Sequence, residues 1–228
     1  MASSGARKVV LNVDPARRVS ALLNAPPGAF ACYVLAHGAG AGMTHPSMAA
    51  VADELGQRGI ATLRYQFPYM EAGSKRPDPP ALCHVTIRAA VAEAGRLLPK
   101  LPLIAGGRSF GGRMTSQAQA IGPLQGVRGL AFLGFPLHPA GRPSDDRAEH
   151  LSDVKIPMLF LQGTRDALAD LSLLRPMVDR LGKRATLKLF EEADHSFHVP
   201  ARTGRKDAEV RAEILDALVA WARKVVAR

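Results

Sequence analysis

The residues with the most evident chemistry are Gly107-Arg108-Ser109-Phe110-Gly111. They form a Gly-x-Ser-x-Gly pattern directly after the apolar run Leu103-Ile104-Ala105 and before a helix-compatible segment. A serine between a strand and a helix sits on a sharp turn that lifts its hydroxyl clear of the sheet, and the flanking glycines let neighbouring backbone pass close by. Its hydroxyl becomes a nucleophile only when a base takes its proton. Of the seven histidines, His195 in Asp194-His195-Ser196-Phe197-His198 is the first candidate and His198 the second. That segment falls between the last expected strand and the last helix, over the same sheet edge as Ser109. The base in turn needs a carboxylate to fix its tautomer and stabilise the imidazolium. Asp166 closes the apolar run and turn Met158-Leu159-Phe160-Leu161-Gln162-Gly163-Thr164-Arg165, where a strand-end acid belongs. Asp170 reads as a helix N-cap, and Asp194 is too close in sequence to His195 to face it. The order Ser109, Asp166, His195 is that of one fold family.

Acyl transfer also needs backbone donors for a tetrahedral oxyanion. The amide of Phe110 follows the nucleophile. The glycine-rich turn His37-Gly38-Ala39-Gly40-Ala41-Gly42 offers Ala39 or Gly40 as a second donor, with His37 as an anchor of the turn. This turn lacks the Gly-Lys-Ser/Thr ending of a phosphate loop and the Gly-x-Gly-x-x-Gly of a dinucleotide fold. Arg64, Phe67 and Tyr69, after a strand, and His138, in a proline-rich loop, are expected to line the substrate pocket. Arg64 has the chemistry to pair with a substrate carboxylate, or else to form an internal salt bridge.

The elements that must position these residues alternate. Short apolar strands are predicted over 30–36, 60–65, 101–105, 129–135, 158–162 and 186–190. Helices are predicted over 46–58, 82–98, 110–120, 170–181 and 207–226. Helix 82–98 carries apolar residues at Val85, Ala89, Ala92 and Leu97. The last helix shows one apolar face through Val210, Ile214, Leu218, Trp221 and Val225. Two earlier strands, 8–13 and 19–23, read as an antiparallel edge. The sum is an α/β fold: a mainly parallel twisted sheet with helices on both faces. Residues 68–80 and 136–155 are irregular, and both follow parallel strands, at whose carboxyl ends ligands bind.

The 228 residues fit one large domain, with 47% hydrophobic and 22% charged residues. No stretch is apolar enough to span a membrane and no apolar leader follows the first basic residues, so the expected compartment is the cytoplasm. Cys32 and Cys83 make no disulfide framework and read as structural. The net charge of +10 is spread along the chain with few interleaved aromatics. A nucleic-acid partner is therefore not expected, although the field would attract acidic substrates. No His, Cys, Asp or Glu grouping has metal-ligand spacing, and neither a metal nor an organic cofactor is expected. Association with copies of itself is left open.

On these residues the chain resembles an α/β-hydrolase, close to the dienelactone-hydrolase-like branch. His37-Gly38-Ala39-Gly40, Gly107-Arg108-Ser109-Phe110-Gly111-Gly112, Gly163-Thr164-Arg165-Asp166 and Asp194-His195-Ser196-Phe197 stand at matching positions. Arg64-Tyr65-Gln66-Phe67-Pro68-Tyr69-Met70 and Gly134-Phe135-Pro136-Leu137-His138-Pro139 resemble a narrower subgroup, which includes a domain of a nuclear histone-acetyltransferase complex subunit. The resemblance implies a Ser-His-Asp hydrolase of a small-molecule ester, thioester or amide, most simply a carboxylesterase, with no cap domain. Dienelactone hydrolases proper use cysteine where Ser109 stands, so dienelactone itself is not implied as substrate. The rival readings are a catalytically silent binding or scaffold protein of the same shape and a nucleic-acid binder.

Overall fold

The computed structural model describes residues 5–227. Five strands are apolar and buried almost from end to end, as strands covered on both faces must be. They are β3 (Ala31–Ala36), β4 (Ile60–Tyr65), β5 (Leu103–Arg108), β6 (Val127–Leu133) and β7 (Met158–Gly163). With β1 (Arg7–Asp14), β2 (Arg17–Asn24) and β8 (Ala185–Phe190) they form one eight-stranded sheet of order β1-β2-β4-β3-β5-β6-β7-β8. β1 and β2 are antiparallel to each other, and β2 is antiparallel to β4; every later pairing is parallel.

Helices α1 (Pro46–Gln57) and α6 (Asp207–Val226) cover one face. On the other lie α3 (Pro80–Leu97), α4 (Phe110–Ile121) and α5 (Leu171–Leu181). The α6 face read from the sequence is the buried one, including Trp221 and Val225. Tyr33 crosses the core beneath β5: its hydroxyl, wholly buried, donates to the Ala131 carbonyl at 2.8 Å. Asp170 caps α5 by accepting from the Ser172 amide at 2.8 Å.

The strand order reverses at β3, whose neighbours are β4 on one side and β5 on the other. Connections leave this point toward opposite faces, opening a crevice at the carboxyl ends of β3 and β5. The segment between β6 and β7, residues 134–157, contains only a 3-10 stretch, Asp146–Asp153, and no cap is built there. The fold is thus the α/β hydrolase fold without a lid.

Details differ from the sequence reading, among them β6, which spans Val127–Leu133 and not 129–135. β5 starts later and runs further than 101–105, because Gly106 (φ 148°) and Gly107 (φ 154°) stay in the sheet. A one-turn helix, α2 (Pro68–Glu71), opens the irregular segment after β4, with Pro68 at its first position. The buried face of α3 is Cys83, Thr86, Ile87, Ala90, Val91 and Ala94, whereas Val85 is 43% exposed. In an alanine-rich helix two stripes are about equally apolar, and the contact with the sheet selects between them.

Candidate active site

Ser109 occupies the β5–α4 turn with φ 49° and ψ −118°, a left-handed conformation costly for a side-chain-bearing residue. What enforces it is close approach on both sides. A Cβ on Gly107 would strike the Ala36 backbone, and one on Gly111 the His37 backbone. The Ser109 amide donates to the Leu133 carbonyl at 3.1 Å, tying the turn to β6.

The structure brings His195 and Asp166 to this hydroxyl. His195 Nε2 lies 2.8 Å from Ser109 Oγ, and His195 Nδ1 lies 2.7 Å from Asp166 Oδ2. An ionised carboxylate only accepts, so Nδ1 carries the proton and Nε2 presents its lone pair to the serine hydroxyl. The Asp166 side chain is 0% exposed and that of His195 22%. Asp194 closes the His195 loop, its Oδ1 accepting from the Ser196 amide at 2.7 Å and the His198 amide at 2.9 Å. His195 then rests over Gly134, where a Cβ would stand 3.4 Å from its Cε1. His198 points elsewhere: its Nδ1 lies 2.8 Å from Asp207 Oδ2, in an exposed pair that raises its pKa.

Gln162 is a site residue that sequence reasoning missed. It is fully buried at the end of β7; its Oε1 accepts from the Phe135 amide at 2.9 Å, and its Nε2 donates to Asp166 Oδ2. The Leu168 amide donates to the other carboxylate oxygen at 2.7 Å. Asp166 is therefore held by three donors from three directions. The available signal was one amide in an otherwise apolar strand, since a buried amide requires partners.

The glycine-rich turn is held from behind. His37 Nε2 accepts from the Phe67 amide at 3.1 Å, so Nδ1 is protonated and donates to the Gly38 carbonyl at 2.7 Å. Burial lowers the His37 pKa, in keeping with this neutral anchoring role. Tyr69 Oη donates to the Ala39 carbonyl at 2.9 Å. Because C=O and the next N–H point oppositely across a planar peptide, the Ala39 and Gly40 amides aim away from His37 and Tyr69. Phe110 begins α4, and its amide belongs to the first turn, which has no intrahelical acceptor.

Four residues expected to line the pocket do not. Arg64 is 3% exposed; its guanidinium donates to the Met43 carbonyl at 3.1 Å and to Asn24 Oδ1 at 3.3 Å. Among the described residues it forms no internal salt bridge, because this β4 side chain turns toward backbone and amide partners near α1. Burial lowers its pKa, opposed by Asp53. Phe67 is wholly buried, edge-on to His37 at 5.0 Å between ring centroids, and packs beneath the turn. Tyr69 is also buried and serves the turn through its hydroxyl. His138 is buried with both ring nitrogens engaged: Nε2 accepts from the Asp170 amide at 2.9 Å, and Nδ1 donates to the Pro139 carbonyl at 2.9 Å. It fastens the loop after β6 to the one after β7 that carries Asp166. Cys32 and Cys83 are buried, and burial pushes both thiols up to about 12. No helix of the described residues is long and apolar enough to cross a membrane.

Fold and sequence together define the class. The chain belongs to the α/β-hydrolase family, whose alpha/beta hydrolase domain matches residues 29–223. Among solved structures it is similar to an α/β serine hydrolase without lid from Xanthomonas campestris, at 20% identity and a TM-score of 0.73, covering 97% of each chain. A dienelactone hydrolase from Anabaena variabilis shares 22% identity at a TM-score of 0.72, covering 98% of this chain and 97% of that one. Est1E from Butyrivibrio proteoclasticus shares 15% at a TM-score of 0.72, covering 99% and 100%.

Proposed function

We propose that this protein is a serine hydrolase that cleaves a small ester, thioester or amide through an acyl-Ser109 intermediate, with carboxylesterase as its activity. The observation that carries the reading is the unbroken relay Ser109 Oγ, His195 Nε2, His195 Nδ1, Asp166 Oδ2, with steps of 2.8 and 2.7 Å. In the first half-reaction Ser109 Oγ bonds to the substrate carbonyl carbon while its proton passes to His195 Nε2. The carbonyl oxygen becomes an oxyanion that accepts from the Phe110 amide and from Ala39 or Gly40. As the bond to the leaving group breaks, His195 returns the proton to it. Water then attacks the acyl carbon with His195 again as base, and the acid leaves as Ser109 recovers its proton. Asp166 stays ionised throughout and stabilises the imidazolium.

The strained Ser109 backbone supports this reading, since such conformations persist at sites where they serve function. The open β6–β7 connection fits a small substrate. Under the same proposal residues 1–228 act as one cytoplasmic domain without metal or organic cofactor, and copies of the chain are free to associate. Arg64–Met70 and Gly134–Pro139 would place it near the subgroup containing the histone-acetyltransferase subunit domain. The test is hydrolysis of p-nitrophenyl acetate by the wild type and by Ser109→Ala. Activity abolished in a variant with unchanged circular dichroism is expected; activity retained would overturn the assignment.

A further inference from the structure

Arg64, Phe67 and Tyr69 share a feature with their neighbour Gln66: each reaches the glycine-rich turn 37–43. Gly38, Ala39, Gly40, Ala41 and Gly42 have no side chain long enough to pin the turn from within. It nevertheless lies hard against the nucleophile, since a Cβ on Gly38 would stand 3.9 Å from Ser109 Cβ. The hold comes from the end of β4. At the far end of the turn, the Met43 amide donates to Gln66 Oε1 at 2.8 Å, and the Met43 carbonyl accepts from Arg64 at 3.1 Å. Gly42 makes room for this, because a Cβ there would stand 2.6 Å from Gln66 Oε1. At the near end the Phe67 amide reaches His37 Nε2 at 3.1 Å. In the middle Tyr69 Oη lies 2.9 Å from the Ala39 carbonyl oxygen and 3.5 Å from that of Gly38.

The holding segment is itself fixed. The Gln66 amide donates to the Ser20 carbonyl at 2.9 Å, and the Tyr69 amide to Asp78 Oδ2 at 2.9 Å. Its rings also touch the residue that carries the other oxyanion donor. The Phe67 and Tyr69 ring centroids lie 5.6 and 6.5 Å from that of Phe110, both edge-on. A donor aimed before the reaction needs no ordering as charge develops, and a glycine-rich turn is the backbone that costs most to order. Across a planar peptide, a carbonyl fixed on one side aims the following N–H to the other. His37 thus aims the Ala39 amide through the Gly38 carbonyl, and Tyr69 aims the Gly40 amide through the Ala39 carbonyl. Burial raises the Tyr69 pKa, so its hydroxyl keeps the proton it donates.

We propose that Gln66 and Tyr69 are positioning residues for the oxyanion hole: the Arg64–Tyr69 segment braces the 37–43 turn so that its amides are aimed before substrate arrives. This rests on the acyl-Ser109 reading. Each side chain acts through the backbone of the turn. Truncating either leaves the relay of Ser109, His195 and Asp166 in place and loosens only the donors that the transition state uses.

The test follows p-nitrophenyl acetate hydrolysis by the full chain as wild type, Tyr69→Phe, Gln66→Leu and Gln66→Glu, with kcat counted per Ser109 titrated by a fluorophosphonate. A short alkyl trifluoromethyl ketone is the second probe. Ser109 Oγ adds to its carbonyl carbon, His195 takes the proton, and the ketone oxygen becomes an oxyanion in the same hole. Tyr69→Phe and Gln66→Leu should each lower kcat on the order of tenfold with little change in KM, short of the roughly 10²–10³ that follows outright loss of a donor. The inhibition constant of the ketone should rise by a similar factor. Gln66→Glu keeps an acceptor for the Met43 amide and should keep most of the wild-type rate. The two Gln66 variants carry the test where Tyr69→Phe fails to fold. Unchanged kcat per titrated serine in a folded Tyr69→Phe or Gln66→Leu overturns the brace and leaves the hydrolase standing, as does a lowered kcat with the ketone's inhibition constant unmoved. A wild type that turns over no ester and leaves Ser109 unlabelled sinks both.

Discussion

Replacing Gln162 by leucine removes both bonds by which this buried amide joins β6 to the acid of the relay. The Phe135 N–H loses its acceptor at 2.9 Å and stays buried, a cost of about 1–3 kcal/mol. Asp166 Oδ2 loses a charge-assisted donor, a further loss of about 1.5–3 kcal/mol. The leucine side chain, buried in place of an amide, offsets roughly 1.5–3 kcal/mol of this. The net loss is on the order of 2 kcal/mol, which for a chain of this size lowers Tm by about 4–8 °C. Thermal melting followed by circular dichroism reads the shift directly. Turnover should fall with little change in KM, because Asp166 is less firmly aimed at His195 while the substrate-facing surface is intact. Gln162→Glu provides the contrast. Its carboxylate faces Asp166, and like charges at hydrogen-bond distance raise the pKa of one of them. A group whose folded pKa is raised stabilises at low pH and loses that contribution as pH rises through the folded value. The glutamate variant should therefore gain stability relative to wild type on mild acidification. An unchanged Tm in Gln162→Leu, or a glutamate variant whose deficit does not depend on pH, would refute the account of how Asp166 is held.

Three further outcomes follow from the same geometry. His195→Ala should lower kcat by about a thousandfold or more, whereas His198→Ala, whose ring pairs with Asp207 away from Ser109, should cost little; the reverse ranking would reassign the base. With no lid over the cleft, each methylene beyond a shallow pocket gains little of the roughly 0.8 kcal/mol of full burial, so kcat/KM on p-nitrophenyl esters should peak from acetate to butyrate and fall by octanoate; a steady rise to octanoate would show a buried acyl tunnel. Burial, and then Arg113 and His84, push His150 down from 6.5 to about 4, so the unfolded chain takes its proton first and stability is lost as pH falls across that interval. His150→Gln should flatten this part of a urea-stability profile against pH, and an unaltered slope would contradict the burial and repulsion assigned to it.

The sheet and its crossovers were legible because buried parallel strands are apolar runs, and helices between them carry a 3.6-residue period. Ser109, Asp166 and His195 were each readable from strand-end position, and the structure places them within hydrogen-bond reach of one another. The surroundings were not legible in the same way. Arg64 lies near the end of β4, and Phe67 and Tyr69 follow it, so sequence position alone suggests that all three line the crevice. Which way each turns depends on a partner distant in sequence: Met43 for Arg64, His37 for Phe67, Ala39 for Tyr69. His138 escaped for the same reason, its ring being claimed by Asp170, 32 residues away. Gln162 looked like one more strand residue because its meaning lies in Phe135 and Asp166, neither adjacent to it.

The central claim is that Ser109 is a nucleophile activated by His195, and covalent capture tests it most directly. Full-length protein would be incubated with a fluorophosphonate probe, digested, and the modified residue mapped by mass spectrometry. The account predicts one adduct, on Ser109, and its loss in His195→Ala. An adduct on another residue, or a Ser109 that stays unmodified in folded wild-type protein, would contradict it.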